Sequence, residues 1–128
     1  MAKRLGVAAL CSVAVLMGTS VAFGQIKRTV LQQTDVSIPG KEVITARADI
    51  PVGSSAGLHT HPGDEISYVL QGDLEVIVEG ASKIYKAGEA FHVPAGKVHD
   101  AKPSGGGPVV VIVNYVVEKG KPATTPVK

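Results

Sequence analysis

From about residue 27 onward the chain is strand-like nearly throughout: short runs rich in Val, Ile and Tyr are broken by Gly, Pro or Asp every eight to twelve residues or so. Side chains on a strand alternate between its two faces, so runs of this kind read as strands that bury one face. No stretch repeats apolar residues at the spacing of an amphipathic helix. Strands are expected over 27–32, 42–49, 57–61, 66–71, 74–79, 82–86, 90–93, 99–102 and 109–118. Gln71-Gly72-Asp73 reads as the tight turn of a hairpin and Glu79-Gly80-Ala81 as the next corner. Such a pattern predicts one all-β domain, a small antiparallel β-barrel or double-sheet jelly roll. The last run, Val109-Val-Val-Ile-Val-Asn-Tyr-Val-Val, is apolar on both faces, so both are expected to be covered, one by the core and one by another sheet or subunit.

Chemistry concentrates in Gly53-Ser-Ser-Ala-Gly-Leu-His59-Thr-His61-Pro-Gly-Asp-Glu65. His59 and His61 stand two apart and so share a strand face, and a Pro62-Gly63 turn can swing Glu65 toward them. Three ligands of one metal ion result, with Asp64 the rival carboxylate. A fourth ligand is available in Gly88-Glu-Ala-Phe-His-Val-Pro94-Ala-Gly96-Lys-Val-His99, where Pro-x-Gly makes a tight turn that returns His99 to the first cluster. Imidazole and carboxylate together suit one divalent transition metal ion, with Fe, Mn, Ni or Co preferred and Zn or Cu also accommodated, and leave coordination positions free for catalysis. His92 precedes that turn. It fits either a pocket-lining role or an ordinary strand histidine with one hydrogen bond.

At these residues the chain resembles the cupin superfamily, whose motifs are G-x5-H-x-H-x3-E-x6-G and G-x5-P-x-G-x2-H-x3-N. The first matches completely from Gly53 to Gly72; the second matches at Gly88, Pro94, Gly96 and His99, with Pro103 where the pattern has Asn. The resemblance implies the metal ligands His59, His61, Glu65 and His99, a jelly-roll barrel and association as a homodimer. It also admits a strand near residues 28–32 that crosses between subunits. Pro103 touches no ligand and is expected to alter the strand after His99, because proline fixes its backbone and donates no hydrogen bond.

The first 24 residues have the three parts of a secretory signal peptide: Lys3 and Arg4, an uncharged apolar stretch over 5–17, and small residues that a signal peptidase reads, with cleavage after Ala22 or Gly24. The domain is then expected over 25–118 and a polar, proline-interrupted, flexible tail over 119–128. Cleavage removes the single cysteine, Cys11, and two of the 13 Lys and Arg, which leaves basic and acidic residues equal at 11 each. A formally neutral mature chain without a basic cluster offers no footprint for nucleic acid or an anionic membrane. The leader directs the protein to the periplasm or outside the cell.

The expected activity is that of a metal-dependent oxygenase on a small organic substrate, similar to the quercetin dioxygenase-like small cupins, with Glu65 as ligand and as catalytic proton acceptor. Against it stand a non-catalytic module that binds a small molecule or the metal, and a non-oxidative isomerase. The chain is short and poor in aromatic residues, which leaves little to grip a large ring.

Overall fold

The computed structural model describes residues 24–128. The leader expected over the first 24 residues lies, apart from Gly24, outside the described residues. The chain forms β1 (Lys27–Asp35), β2 (Lys41–Ile50), β3 (His59–Thr60), β4 (Gly63–Gln71), β5 (Asp73–Val78), β6 (Ala81–Lys86), β7 (Ala90–Val93), β8 (His99–Pro103), β9 (Val109–Glu118) and β10 (Thr125–Pro126). They build two five-stranded sheets, ordered β1-β2-β9-β4-β7 and β10-β3-β8-β5-β6. Every pairing is antiparallel. The fold is a jelly roll whose inner faces meet in one core.

Alternation places that core. On β4, Glu65, Ser67 and Val69 face inward while Ile66, Tyr68 and Leu70 are exposed on the outer face. On β9 the inward set is Val109, Val111, Val113, Tyr115 and Val117, and it meets Leu74 and Val76 of β5 and Phe91 and Val93 of β7. On the other face of β9, Val110 is buried while Ile112 and Val116 are half-buried within the single chain. Strand β1 pairs along its whole length with β2 of the same chain and is exposed throughout.

Two glycines carry the geometry that brings the sheets together. Gly72 was expected in a hairpin, yet β4 and β5 lie in different sheets, and Gly72 carries the chain from one to the other at φ +81°. A Cβ there would come within 2.5 Å of the Pro108 carbonyl oxygen, so the corner is closed to larger residues twice over. Gly63 does not form a turn with Pro62 but opens β4, pressed so tightly to β9 that a Cβ would fall 1.8 Å from the Val116 carbonyl oxygen. The one true hairpin of this region joins β5 to β6 through Glu79 and Gly80, at φ 47° and 84°. Positive φ at both central residues gives the turn the twist of its flanking strands.

Candidate metal centre

The four expected ligands come from four places, three strands and one link. His59 lies on β3 and His99 on β8, paired directly across the second sheet; Glu65 lies on β4 in the first sheet; His61 sits in the link between β3 and β4. The Pro94-Ala95-Gly96 turn delivers His99 as its spacing suggests. Lys97 N–H donates to the Pro94 carbonyl at 3.2 Å, and Gly96 N–H donates to the His61 carbonyl at 3.0 Å, which ties the turn to the other histidine segment. One ligand atom from each of the four side chains lies within 4.8 Å of the others. All four residues are between 2 and 6 % exposed.

The hydrogen bonds identify which nitrogen each imidazole offers. Nδ1 of His59 faces the Gly57 carbonyl at 2.6 Å, Nδ1 of His61 the Ala123 carbonyl at 2.7 Å, and Nδ1 of His99 the Lys97 carbonyl at 2.9 Å. A carbonyl only accepts, so each Nδ1 carries a proton and Nε2 is the nitrogen left for a metal, through its lone pair in the neutral ring; without a metal an Nε2 proton can instead be given to Glu65. Nε2 of His61 and of His99 both stand 3.1 Å from Glu65 Oε2. Lone pairs on three nitrogens and a carboxylate oxygen therefore converge, and a cation between them satisfies all at once. Separations near 3 Å are those of neighbouring ligands on one ion bonded at about 2.0–2.2 Å. The donor set fits a divalent transition metal, and these side chains would hold it.

Electrostatics within the cluster follow from burial and pairing. Burial opposes ionisation of Glu65, but hydrogen bonds from His61, His99 and the Ser67 hydroxyl outweigh it and bring its carboxyl down to about 2. Ser67 Oγ donates to Glu65 Oε1 at 2.8 Å, so one carboxylate oxygen is anchored by the protein and the other faces the imidazoles. Burial pulls the His59 pKa down. For His99 burial acts in the same sense, yet the Glu65 carboxylate and the Lys97 carbonyl prevail and raise it. Tyr115, directly opposite Glu65 on β9, lays its ring 4.5 Å from that of His61. Its hydroxyl is pushed up to about 12 by burial and the nearby carboxylate, so it remains a protonated donor at any physiological pH.

Asp64 is excluded as a ligand. It points to the outer face of β4, where Oδ1 meets His92 Nε2 at 2.7 Å in an exposed pair. His92 is thus an ordinary strand histidine with one partner. The segment after Glu118, read from sequence as a tail, supplies what the motifs could not: β10 pairs with β3, Val127 N–H donates to the Leu58 carbonyl at 2.9 Å, and Ala123 provides the carbonyl that orients His61. A backbone acceptor leaves no mark in residue identity.

Beside the ligands opens a cavity of about 30 Å³, bordered by Arg28, His59, Glu65, His99 and Tyr115 and otherwise walled by apolar side chains such as Leu74, Val76 and Phe91. One water needs roughly 10–15 Å³ on this measure, so only a very small molecule fits without rearrangement.

A family model described as "Cupin domain" matches residues 46–117, and the chain belongs to the cupin family. Among characterised relatives, it is 39% identical over 84 residues to germin-like protein subfamily 2 member 2 of Arabidopsis thaliana, a match that covers 59% of this chain and 38% of the relative. It is likewise 39% identical over 88 residues to germin-like protein 1-1 of Oryza sativa subsp. japonica, covering 62% of this chain and 41% of the relative. The chain thus spans about two fifths of the length of these relatives. Among solved structures, a cupin-like protein from Thermotoga maritima superimposes with a TM-score of 0.67 at 19% identity, over 81% of this chain and 77% of the other. A recombinant oxalate oxidase in complex with glycolate gives a TM-score of 0.62 at 25% identity, over 79% of this chain and 54% of that one.

Proposed function

We propose that the protein is an exported, metal-dependent oxygenase that acts on a small organic substrate. The observation that carries the reading is the convergence of three Nε2 lone pairs and Glu65 Oε2 beside a small apolar cavity, since a ligand set that borders a pocket can meet a second molecule. The likeness to an oxalate oxidase bound to glycolate supports both the small substrate and chemistry with oxygen. The germin-like relatives support the same branch of the family.

A bound divalent ion would supply Lewis-acid and redox chemistry at the junction of the ligands. The chain's own residues supply the rest. Leu74, Val76 and Phe91 keep water from the reacting groups, and the neutral Tyr115 hydroxyl donates a hydrogen bond toward the substrate. Ser67 fixes the plane of the Glu65 carboxylate. Glu65 is first a ligand, for a carboxyl brought down to about 2 holds a proton only briefly. As catalytic base it would take the proton of a substrate hydroxyl at Oε2 and release it to solvent as product leaves. A dioxygenation places both oxygen atoms in the product and needs no external reductant.

Elemental analysis of the exported protein, followed by oxygen-electrode traces with enediols, diketones, flavonols and small hydroxy acids, tests the reading. About one equivalent of Fe, Mn, Ni or Co with substrate-dependent oxygen uptake is expected. Metal without uptake for any of them refutes oxygenation and leaves the binding module or the isomerase.

The homodimer belongs to the same proposal. Ile66, Tyr68 and Leu70 stand exposed in a row on the outer face of β4, the face a second copy would cover. Light scattering should give twice the chain mass, and a monomer at micromolar concentration rejects it.

A further inference from the structure

The cavity beside the ligands has a charged group at its mouth that neither the motifs nor the ligand set calls for. Arg28, on the edge strand β1, lines the same cavity as His59, Glu65, His99 and Tyr115, and it is the one permanently charged cation among the residues that do. The sheet register explains how it gets there. Arg28 pairs with Ala48, which pairs with Val111, so all three share the inner face; the next inner-face residue of β2 toward Tyr115 is Ala46. Two alanines in succession keep that stretch of the sheet low. A long side chain from β1 can then lie across them, and Arg28 and Tyr115 line the same cavity, the guanidinium favouring a lower Tyr115 pKa against the effect of burial. Among the described residues Arg28 forms no ion pair, whereas Arg47, the other arginine among them, is held by Asp49 at 2.8 Å on the outer face.

We infer that Arg28, with the Tyr115 hydroxyl as a second donor, forms an anion-binding pair that selects small carboxylates for the cavity. The inference rests on the reading of this site as one that takes a small organic substrate, and it names that substrate's class. An unpaired guanidinium presents parallel N–H donors that match a carboxylate. The Tyr115 hydroxyl, on the wall of the same cavity, adds a second donor. The apolar walls between mouth and ligands lower the local dielectric, so charge at the rim weighs more than it would in water. Arg28 and Glu65 line the same small cavity, so an anion held by the guanidinium lies close to the ligand cluster. The small volume restricts the carboxylate to a few heavy atoms, with its functional carbon directed at the ligands.

The test uses full-length mature protein loaded with zinc, which does not turn over by redox chemistry, and calorimetric titration with glycolate and with its neutral isostere glycolamide. Arg28→Met keeps the length of the side chain and removes the charge; Arg28→Lys keeps a charge and loses the fork. Because Arg28 is partly solvated, Arg28→Met should weaken glycolate by about tenfold and leave glycolamide within about twofold, with Arg28→Lys between. Equal weakening of both probes, or of neither, overturns the assignment. Zinc content on the same samples separates the two possible failures. Full occupancy with binding indifferent to charge removes the role of Arg28 alone, and wild-type protein that takes up no zinc removes the metal reading and the carboxylate site with it.

Discussion

Deleting residues 123–128 should loosen the metal without unfolding the barrel. The three imidazoles are oriented differently: His59 and His99 each donate to a carbonyl two residues upstream in their own segment, while His61 donates to Ala123, which only the C-terminal segment brings near. Removing that carbonyl frees His61 to rotate and to populate its other tautomer, in which Nε2 carries the proton and cannot ligate. Loss of such an orienting partner generally costs metal affinity by about 10–100-fold. One ligand of four is affected, and Thr124 Oγ1, removed by the same deletion, is at 3.3 Å only a weak partner whose loss adds little. The lower end therefore applies, about tenfold or ~1.4 kcal/mol. The fold should lose little, since β10 is a two-residue exposed strand outside the core. Zinc affinity by competition with a chromophoric chelator, beside thermal melts of the metal-free forms, reads both quantities. Wild-type affinity in the truncated protein would refute the argument, and so would a collapse of the melt that precedes any change in affinity.

His61→Ala should abolish most metal binding while metal-free thermal stability changes little, because the core is built from apolar residues of both sheets; a chain that no longer gives a cooperative melt would show the cluster to be structural. Glu65→Gln probes the pH dependence. Glu65 is brought from 4.5 to about 2, so its contribution is fully present above pH 4.5 and is lost as pH falls toward 2. The metal-free wild type should therefore lose on the order of a few kcal/mol through that window, and the variant should show a flatter acid limb in melts against pH; identical limbs would show that Glu65 is not the group responsible. Gly63→Ala should destabilise by roughly 3 kcal/mol or more, since its Cβ would collide with the Val116 carbonyl and push β4 from β9. A denaturation midpoint unchanged from wild type would mean that the strands part more easily than their pairing implies.

That the four candidate side chains gather at one point was legible because residue spacing and turn chemistry are local. His59 and His61, two apart, read as one strand face, whereas β3 ends at Thr60 and His61 sits in the link to β4; Pro94-x-Gly96 turns the chain in a way that residue identity alone dictates. The inward set Glu65, Ser67 and Val69 follows from parity once a single member is known. Asp64 and Glu65 could not be told apart on such grounds, because the choice depends on the register of β4 against β9, with Glu65 opposite Tyr115. Gly72 shows the same limit. Its sequence demands a positive φ, but whether the next strand pairs with the last or crosses to the facing sheet depends on partners far along the chain. Strand β10 left no signal at all: Thr125-Pro126 has no periodicity, and its role passes through a backbone carbonyl. Arg28 escaped notice for a related reason, since its value lies in two alanines on a neighbouring strand.

The placement of the ligands also joins chemistry to architecture. Glu65 belongs to one sheet and His59 and His99 to the other, so whatever occupies the point between them ties the two sheets together at that end of the barrel. The described residues contain no cysteine to do so covalently. A buried carboxylate is costly unless a positive partner compensates it. In metal-free protein the partner at hand is a proton on an imidazole, which the Glu65 carboxylate favours and which is reflected in the raised pKa of His99. A metal ion must displace that proton, because only neutral imidazole ligates. Proton and metal thus compete for one position, which means that the interaction favouring ionised Glu65 in metal-free protein also weakens metal uptake as pH falls, and does so more steeply than for an isolated histidine.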